Sequence, residues 1–240
     1  MSYKNTFLIF LFLFLSGCGH HLYHRVEEGD TLYSISWQYG YDYKTIARWN
    51  DIQLPYYIKK GQVIHLAPQT REVDRRLLNK DYETAESKVV EQDFTAKKTT
   101  PQPKPKVITS PPARVSQTPR WQWPAEGQVI AGFKKASGKH NGISIKGISG
   151  QTIRAAATGK VVYSGNALKG YGNLVIIKHG DDYLSAYAHN KDIFVREGEH
   201  VAVGQKIAAM GQSDSERVAL YFEIRKSGKP VNPSHYLPKK

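Results

Sequence analysis

Short apolar segments separated by glycine-bearing turns follow one another through the C-terminal half of the chain, and in some of them apolar and polar residues alternate with a period of two. These segments predict short strands at 128–131, 142–145, 152–155, 159–163, 173–178, 183–188, 207–210 and 220–225. No long helical period interrupts these segments. Residues 121–238 are therefore predicted to fold as an all-β sandwich or barrel.

Residues 217–224 show this alternation most clearly. One face is predicted to be buried and carries four apolar side chains, Val218, Leu220, Phe222 and Ile224. The opposite face carries Arg217, Ala219, Tyr221 and Glu223. The same rule applied to 183–189 groups Tyr183, Ser185, Tyr187 and His189 on one face. Together with His140 and Ser144, the residues of these faces predict a groove.

The N-terminal segment 22–67 has a different pattern. A strand is predicted at 22–26, and Asp30 or Thr31 is suited to cap a helix that Gly40 ends. Asp42 is suited to cap a second helix, and a second strand is predicted at 61–66. The order strand, helix, helix, strand in under about fifty residues predicts a small α+β domain.

Proline and lysine replace the apolar periodicity between these two regions. Within 68–120, the run that follows Asp93 contains no acidic residue, and the next acidic residue is Glu126. Such a composition predicts a disordered, semi-extended linker. At roughly 3 Å per residue it would reach on the order of 100 Å.

The first residues have the pattern of a secretory signal. An apolar run at 7–15 follows Lys4 and is too short to span a bilayer as a helix. The sequence Leu15-Ser16-Gly17-Cys18 resembles the lipobox of bacterial lipoproteins. That resemblance implies removal of residues 1–17, acylation of Cys18 and a short lipidated tether at 18–21.

Gly19, rather than Asp, follows the cysteine, which by the same resemblance implies an outer-membrane anchor facing the periplasm. The alternative is an ordinary cleaved signal in which the cysteine is incidental. The net charge of +13 favours anionic partners such as nucleic acid, lipid headgroups or cell-wall material. No nucleic-acid-binding motif is present in the sequence, so no nucleic acid partner is expected.

The stretches VEEGDTLYSISWQYG and IKKGQVIHL, with Asn50 between them, resemble a LysM domain. The resemblance implies binding of glycans that contain N-acetylglucosamine, here peptidoglycan glycan strands. On this chain the implied glycan-contacting residues are Gly29, Asp30, Thr31, Leu32, Asn50, Tyr56, Tyr57 and Ile58. For Tyr56 and Tyr57, cover of the small core is the alternative role.

The stretches KHNGISI, GYGNLVIIKHG, YLSAYAHN and ALYFEI resemble the M23 (LytM) family of zinc endopeptidases of the cell wall. By this resemblance His140 keeps the first zinc ligand and His189 keeps one histidine that assists the attacking water. Ser144, Ala219 and Tyr221 stand where active members have an aspartate ligand, the second assisting histidine and the last histidine ligand. A hydrolytic zinc site needs three protein ligands and an open position. The substitutions therefore predict no metal, no cofactor and no catalytic residue.

The order of lipobox, LysM-like domain, proline-rich linker and altered LytM-like domain resembles the NlpD-type LytM factors. The resemblance implies a non-catalytic protein that activates a periplasmic N-acetylmuramoyl-L-alanine amidase during septal peptidoglycan splitting and daughter-cell separation. The implied amidase-binding groove comprises His140, Ser144, Tyr171, Asn173, Tyr187, His189, Ala219 and Tyr221. Two alternatives stay open: a zinc endopeptidase with an atypical site, and a passive tether between wall and outer membrane.

Overall fold

The computed structural model describes residues 23–68, 118–134, 141–213 and 216–239. The predictions for the signal sequence, Cys18, His140 and nearly all of the linker fall outside these residues. The described residues form an N-terminal domain and a C-terminal domain, which are in contact with each other.

The N-terminal domain has the predicted strand, helix, helix, strand order. Its elements are β1 (Tyr23–Arg25), α1 (Leu32–Tyr39), α2 (Tyr43–Trp49) and β2 (Val63–His65), and the two strands pair antiparallel. Thr31 caps α1, which ends at Gly40 in the left-handed conformation with a φ of 73°. Asp42 caps α2 by accepting a hydrogen bond from Lys44 N. The predicted α+β fold is confirmed.

The core of this domain is small and apolar. Its buried members come from both helices, from β2 and from the residues just after each strand. They are Val26, Leu32, Ile35, Ile46, Ala47, Ile64 and Leu66. Asn50 joins α2 to β2, because its side-chain amide donates to Ile46 O and His65 O and its side-chain oxygen accepts from His65 N. Asn50 therefore ties the end of α2 to the backbone of β2.

The C-terminal domain is built almost entirely of antiparallel strands, as predicted. They are β3 (Val129–Ala131), β4 (Ile143–Lys146), β5 (Thr152–Arg154), β6 (Gly159–Gly165), β7 (Asn173–His179), β8 (Tyr183–Ile193), β9 (His200–Val201), β10 (Lys206–Met210), β11 (Ala219–Lys226) and β12 (Lys229–Val231). A short 3-10 helix, Pro233–His235, follows. The sequence pattern did not predict the short strands β9 and β12.

One path of pairing runs β3-β4-β11-β8-β7-β6-β9. The long strand β8 also pairs with β10, which in turn pairs with β5, and β12 pairs with β11. The main core lies on one side of this sheet and includes Tyr187, Leu220, Phe222 and Ile224. The predicted buried face of 217–224 is thus confirmed for the three β11 residues in this core.

The opposite side of the sheet is also covered. The residues of β8 and β11 on this second side are all buried, and we call them the Tyr221 face: Leu184, Ala186, Ala188, Tyr221, Glu223 and Arg225. Trp37 from α1 and Tyr43 from α2 pack in the same cluster as the apolar members of this face. The two domains are therefore joined by a buried contact as well as by the chain between them.

Candidate functional site

Strand pairing brings three of the predicted groove residues together. Tyr221 on β11 lies directly opposite Ser144 on β4, and Ala219 lies two residues before Tyr221. Residues directly opposite each other in an antiparallel pair project to the same side of the sheet, as do residues two apart on one strand. Ser144, Ala219 and Tyr221 therefore share one face.

Two further predicted residues lie beside Tyr221. The ring centroids of Tyr171 and Tyr221 are 5.9 Å apart, and those of His189 and Tyr221 are 6.3 Å apart. His189 has a φ of 60°, and the pairing of β8 with β7 is irregular between Asn173 and Val175, close to where His189 lies. This local break in the extended conformation ends the strict alternation that holds for residues 183–188.

The prediction that Tyr187 lines the groove is wrong. Tyr187 is fully buried in the main core, on the side of the sheet opposite to Tyr221. Its hydroxyl oxygen accepts hydrogen bonds from Ala156 N at 2.8 Å and from Ser185 Oγ at 3.0 Å. Burial raises the pKa of Tyr187 to about 12. Alternation correctly grouped Tyr187 with Ser185 but wrongly grouped it with His189.

The Asn173 side chain forms hydrogen bonds with the backbone of the neighbouring strand β8. Its side-chain amide nitrogen donates to Asn190 O and to Lys191 O, both at 3.1 Å. Asn190 returns the interaction by donating to Asn173 O at 2.7 Å. These bonds hold the irregular end of the β7–β8 pair, so the contribution of Asn173 is to position the strand that carries His189.

A series of buried, hydrogen-bonded side chains runs from Tyr221 along β11. The Tyr221 hydroxyl donates to Glu223 Oε2 at 2.5 Å, and Arg225 Nε donates to Glu223 Oε1 at 2.6 Å. Burial, followed by the charge of Glu223, raises the pKa of Tyr221 far above its ordinary value. The phenol is therefore held in its neutral form, with its proton committed to Glu223.

Glu223 and Arg225 extend the candidate site beyond the predicted residues. Alternation places both on the side of Tyr221, and a charged pair on a predicted half-buried strand was the available signal. Burying this ion pair is tolerated because each charge has a close partner. Within the described ranges, no group of three or more His, Cys, Asp or Glu side chains is arranged to hold a metal ion.

The predicted glycan-contacting residues of the N-terminal domain have mixed roles. Leu32 is fully buried in the domain core, and Asn50 bridges α2 and β2, so both side chains serve the fold. Asp30 accepts hydrogen bonds from Glu27 N and pairs with His24 Nε2 at 2.7 Å. Gly29 lies at an exposed turn with a φ of 84°.

The loop after α2 carries the remaining predicted contacts. Tyr57 is 85% exposed, whereas Tyr56 is half-buried and packs edge-on against Tyr33 and Tyr43. Ile58 is half-buried against the domain core. An exposed aromatic ring suits the apolar face of a sugar, so Tyr57 is the side chain in this loop best placed for a glycan.

Comparison with known proteins agrees with this two-domain description. The LysM domain model matches residues 24–67, and the model of peptidase family M23 matches residues 138–233. The murein hydrolase activator NlpD of Escherichia coli K12 is 39% identical over 90% of this chain and 68% of its own length. The chain belongs to the NlpD family.

Two other relatives have lipoprotein names. The lipoprotein NlpD/LppB homolog of Pseudomonas aeruginosa is 41% identical over 90% of this chain and 76% of its own length. Outer membrane antigenic lipoprotein B of Histophilus somni is 40% identical over 87% of this chain and 65% of its own length. Among the residues that the structure describes, no helix is both long enough and apolar enough to cross a membrane.

Proposed function

We propose that this protein is a non-catalytic, peptidoglycan-binding lipoprotein that activates an N-acetylmuramoyl-L-alanine amidase in septal peptidoglycan splitting and daughter-cell separation. Membership of the NlpD family, whose Escherichia coli member is named a murein hydrolase activator, supports this function. The LysM domain supports binding to glycan strands. Acylation at Cys18 and an outer-membrane position facing the periplasm complete the proposal, and the lipoprotein names of the relatives support them.

The hydrogen bond from the Tyr221 hydroxyl to Glu223 is the main support for the proposal that the protein is not a zinc enzyme. By resemblance to M23 enzymes, Tyr221 stands at the last histidine ligand of zinc. A phenol binds zinc well only after losing its proton, and here that proton is donated to a buried carboxylate. Ala219 has no donor atom, and a serine hydroxyl such as that of Ser144 is a weak ligand. These residues do not fit a hydrolytic zinc ion.

The same face is suited to binding a protein segment. It combines the aromatic rings of Tyr171 and Tyr221 with the imidazole of His189. The ring centroids of Tyr171 and His189 lie 5.9 Å and 6.3 Å from that of Tyr221. Aromatic side chains provide much of the binding energy of protein interfaces. A segment of the amidase that binds here better in its active state than in its inhibited state would shift the amidase toward activity.

Dye release from labelled sacculi tests this function. The amidase is assayed alone, with the wild-type protein, and with the His189→Asn variant. Asparagine accepts a positive φ more readily than most residues, so this variant keeps the backbone at position 189. His200→Asn is the matched control, because His200 is exposed on β9 at the far end of the sheet.

We expect the wild type and His200→Asn to raise amidase-dependent dye release equally and His189→Asn to raise it less. The protein without amidase is expected to release no dye. Dye release by this protein alone, together with stoichiometric bound zinc, would favour an endopeptidase instead. Unchanged amidase rates with every variant, but loss of wall attachment on deleting the LysM domain, would favour a passive tether.

A further inference from the structure

Helix α1 of the LysM domain lies directly on the Tyr221 face. The guanidinium carbon of Arg225 is 3.7 Å from the centroid of the Trp37 indole ring. Arg225 Nη1 also donates a hydrogen bond to Trp37 O at 2.7 Å. Trp37 is 2% exposed and Arg225 is 5% exposed, so this contact is closed to solvent.

The end of α1 explains why an arginine is bound there. Trp37 O is one of the last carbonyl oxygens of the helix, where the helix dipole is negative. It accepts a long hydrogen bond from Gly40 N at 3.3 Å, and its second lone pair is available for another donor. A guanidinium provides both the donor and the opposite charge. Because Arg225 also binds Glu223, and Glu223 binds Tyr221, the LysM domain is connected by hydrogen bonds to a predicted groove residue.

Trp37 belongs to the contact between the domains and not to the core of its own domain. The LysM core is formed by apolar residues from Val26 to Leu66 and does not include Trp37. Instead, Trp37 clusters with Tyr163, Tyr171 and Tyr221 of the other domain. Tyr43 of its own domain belongs to the same cluster. A large aromatic side chain buried in such an interface cluster indicates a surface built for that partner.

Two further contacts fix the position of the LysM domain. Gly228, in the turn between β11 and β12, approaches the backbone so closely that an added Cβ would lie 2.4 Å from Asp42 N. Lys44 Nζ lies 3.1 Å from Asp182 Oδ1, in a partly exposed pair that contributes little energy. Complementary shape at Gly228, more than surface charge, therefore sets the alignment.

The contact includes the loop that we expect to bind glycan. Thr31 Oγ1 donates to Val162 O on β6 at 3.3 Å. Gly29 is exposed but lies next to the other domain, because a Cβ built on it would be 3.8 Å from the Cβ of Ala167. Tyr57, on the second loop of the predicted glycan site, remains exposed. One wall of that site is thus occupied by the M23-like domain while the other is open.

We propose that a glycan strand rich in N-acetylglucosamine and the M23-like domain compete for the same loop of the LysM domain, so that glycan binding uncovers the Tyr221 face. The consequence of this competition rests on the proposed function: the amidase gains access to the Tyr221 face only where the protein has bound peptidoglycan. Because linkage is reciprocal, amidase binding to the Tyr221 face would strengthen glycan binding by the same factor.

Affinity for an N-acetylglucosamine pentamer, measured by titration calorimetry on the purified protein, tests the competition. Trp37→Ala removes the central contact, and Gly228→Ala introduces a clash with the Asp42 backbone. Gly150→Ala is the matched control for the latter. Gly150 has a similar φ of 83°, but among the described residues an added Cβ there would have no neighbour within 4 Å.

We expect Trp37→Ala and Gly228→Ala to bind the pentamer more tightly than the wild type, on the order of tenfold if the domains are docked in about nine molecules out of ten. Gly150→Ala is expected to match the wild type. X-ray scattering should show that saturating pentamer raises the radius of gyration of the wild type to that of Trp37→Ala. Equal affinities in all four proteins, with no change in radius, would overturn the competition.

The amidase assay separates this inference from the function on which it rests. If the affinities differ as expected but no variant activates an amidase, the competition stands and the proposed function fails. If the amidase is activated but the affinities are equal, the function stands and the competition fails. A doubled mass in sedimentation would show that the LysM domain comes from a second copy, which would overturn competition within one chain.

Discussion

His179 is expected to make the stability of the C-terminal domain depend on pH. Its ring is buried, with Nδ1 2.9 Å from Thr158 O and Nε2 2.7 Å from Ser185 Oγ. The Trp121 ring packs edge-on at a centroid distance of 4.9 Å. Burial is the main cause that lowers the pKa of His179 from 6.5 to about 4, and the charge of Lys178 acts in the same direction. The folded protein therefore holds this imidazole neutral.

The sign and size of the effect follow from this lowered pKa. Below pH 6.5 the unfolded chain binds a proton at His179, whereas the folded chain binds it only as the pH approaches about 4. Stability from this residue is complete above pH 6.5 and is lost as the pH falls toward 4. At about 1.4 kcal/mol for each pKa unit, the loss amounts to roughly 3 kcal/mol.

Urea unfolding followed by tryptophan fluorescence from pH 7.5 to pH 4 measures this loss. His179→Gln is the comparison, because glutamine does not titrate and the carboxylates of the protein contribute equally to both curves. The free energy of unfolding of the wild type should fall by about 3 kcal/mol more than that of the variant over this range. Parallel curves for the two proteins, or an NMR titration of His179 near pH 6.5, would show that the folded protein does not hold His179 neutral.

Three other substitutions test individual contacts. Asn50→Ala removes the side-chain bonds between α2 and β2 and should destabilise the LysM domain by about 1–3 kcal/mol, measured by thermal unfolding. Tyr187→Phe leaves Ala156 N without its acceptor and should lower the free energy of unfolding by about 1–3 kcal/mol, while amidase activation stays unchanged. A selective loss of activation would place Tyr187 in the groove after all. Arg225→Ala leaves Glu223 buried without its cation and should cost about 3–5 kcal/mol in urea unfolding, whereas a loss below about 1 kcal/mol would show that Glu223 is solvated.

Local signals were sufficient for the LysM domain and for most strands. Thr31, Gly40 and Asp42 determine where helices begin and end through their own side chain or backbone conformation, which a sequence displays directly. The faces of β11 followed from a period of two, because that strand is regular. The same rule failed at His189, where a positive φ set by the neighbouring strand interrupts the period.

The contact between Trp37 and Arg225 could not be predicted in this way. The two residues are 188 positions apart in the sequence. Trp37 nevertheless packs against the Tyr221 face. Tertiary contact between two separately folded segments leaves no periodic trace, so a structure was needed to find it.

Activation of an amidase by a protein that does not itself cut the wall is measured by dye release. Labelled sacculi are incubated with the protein alone, with an amidase alone and with both together. We expect no release by the protein alone. With both proteins we expect a rate on the order of tenfold above that of the amidase, if binding favours the active state by about 1.4 kcal/mol. Release by the protein alone, or an amidase rate unchanged by its addition, would show that the protein is not a non-catalytic activator.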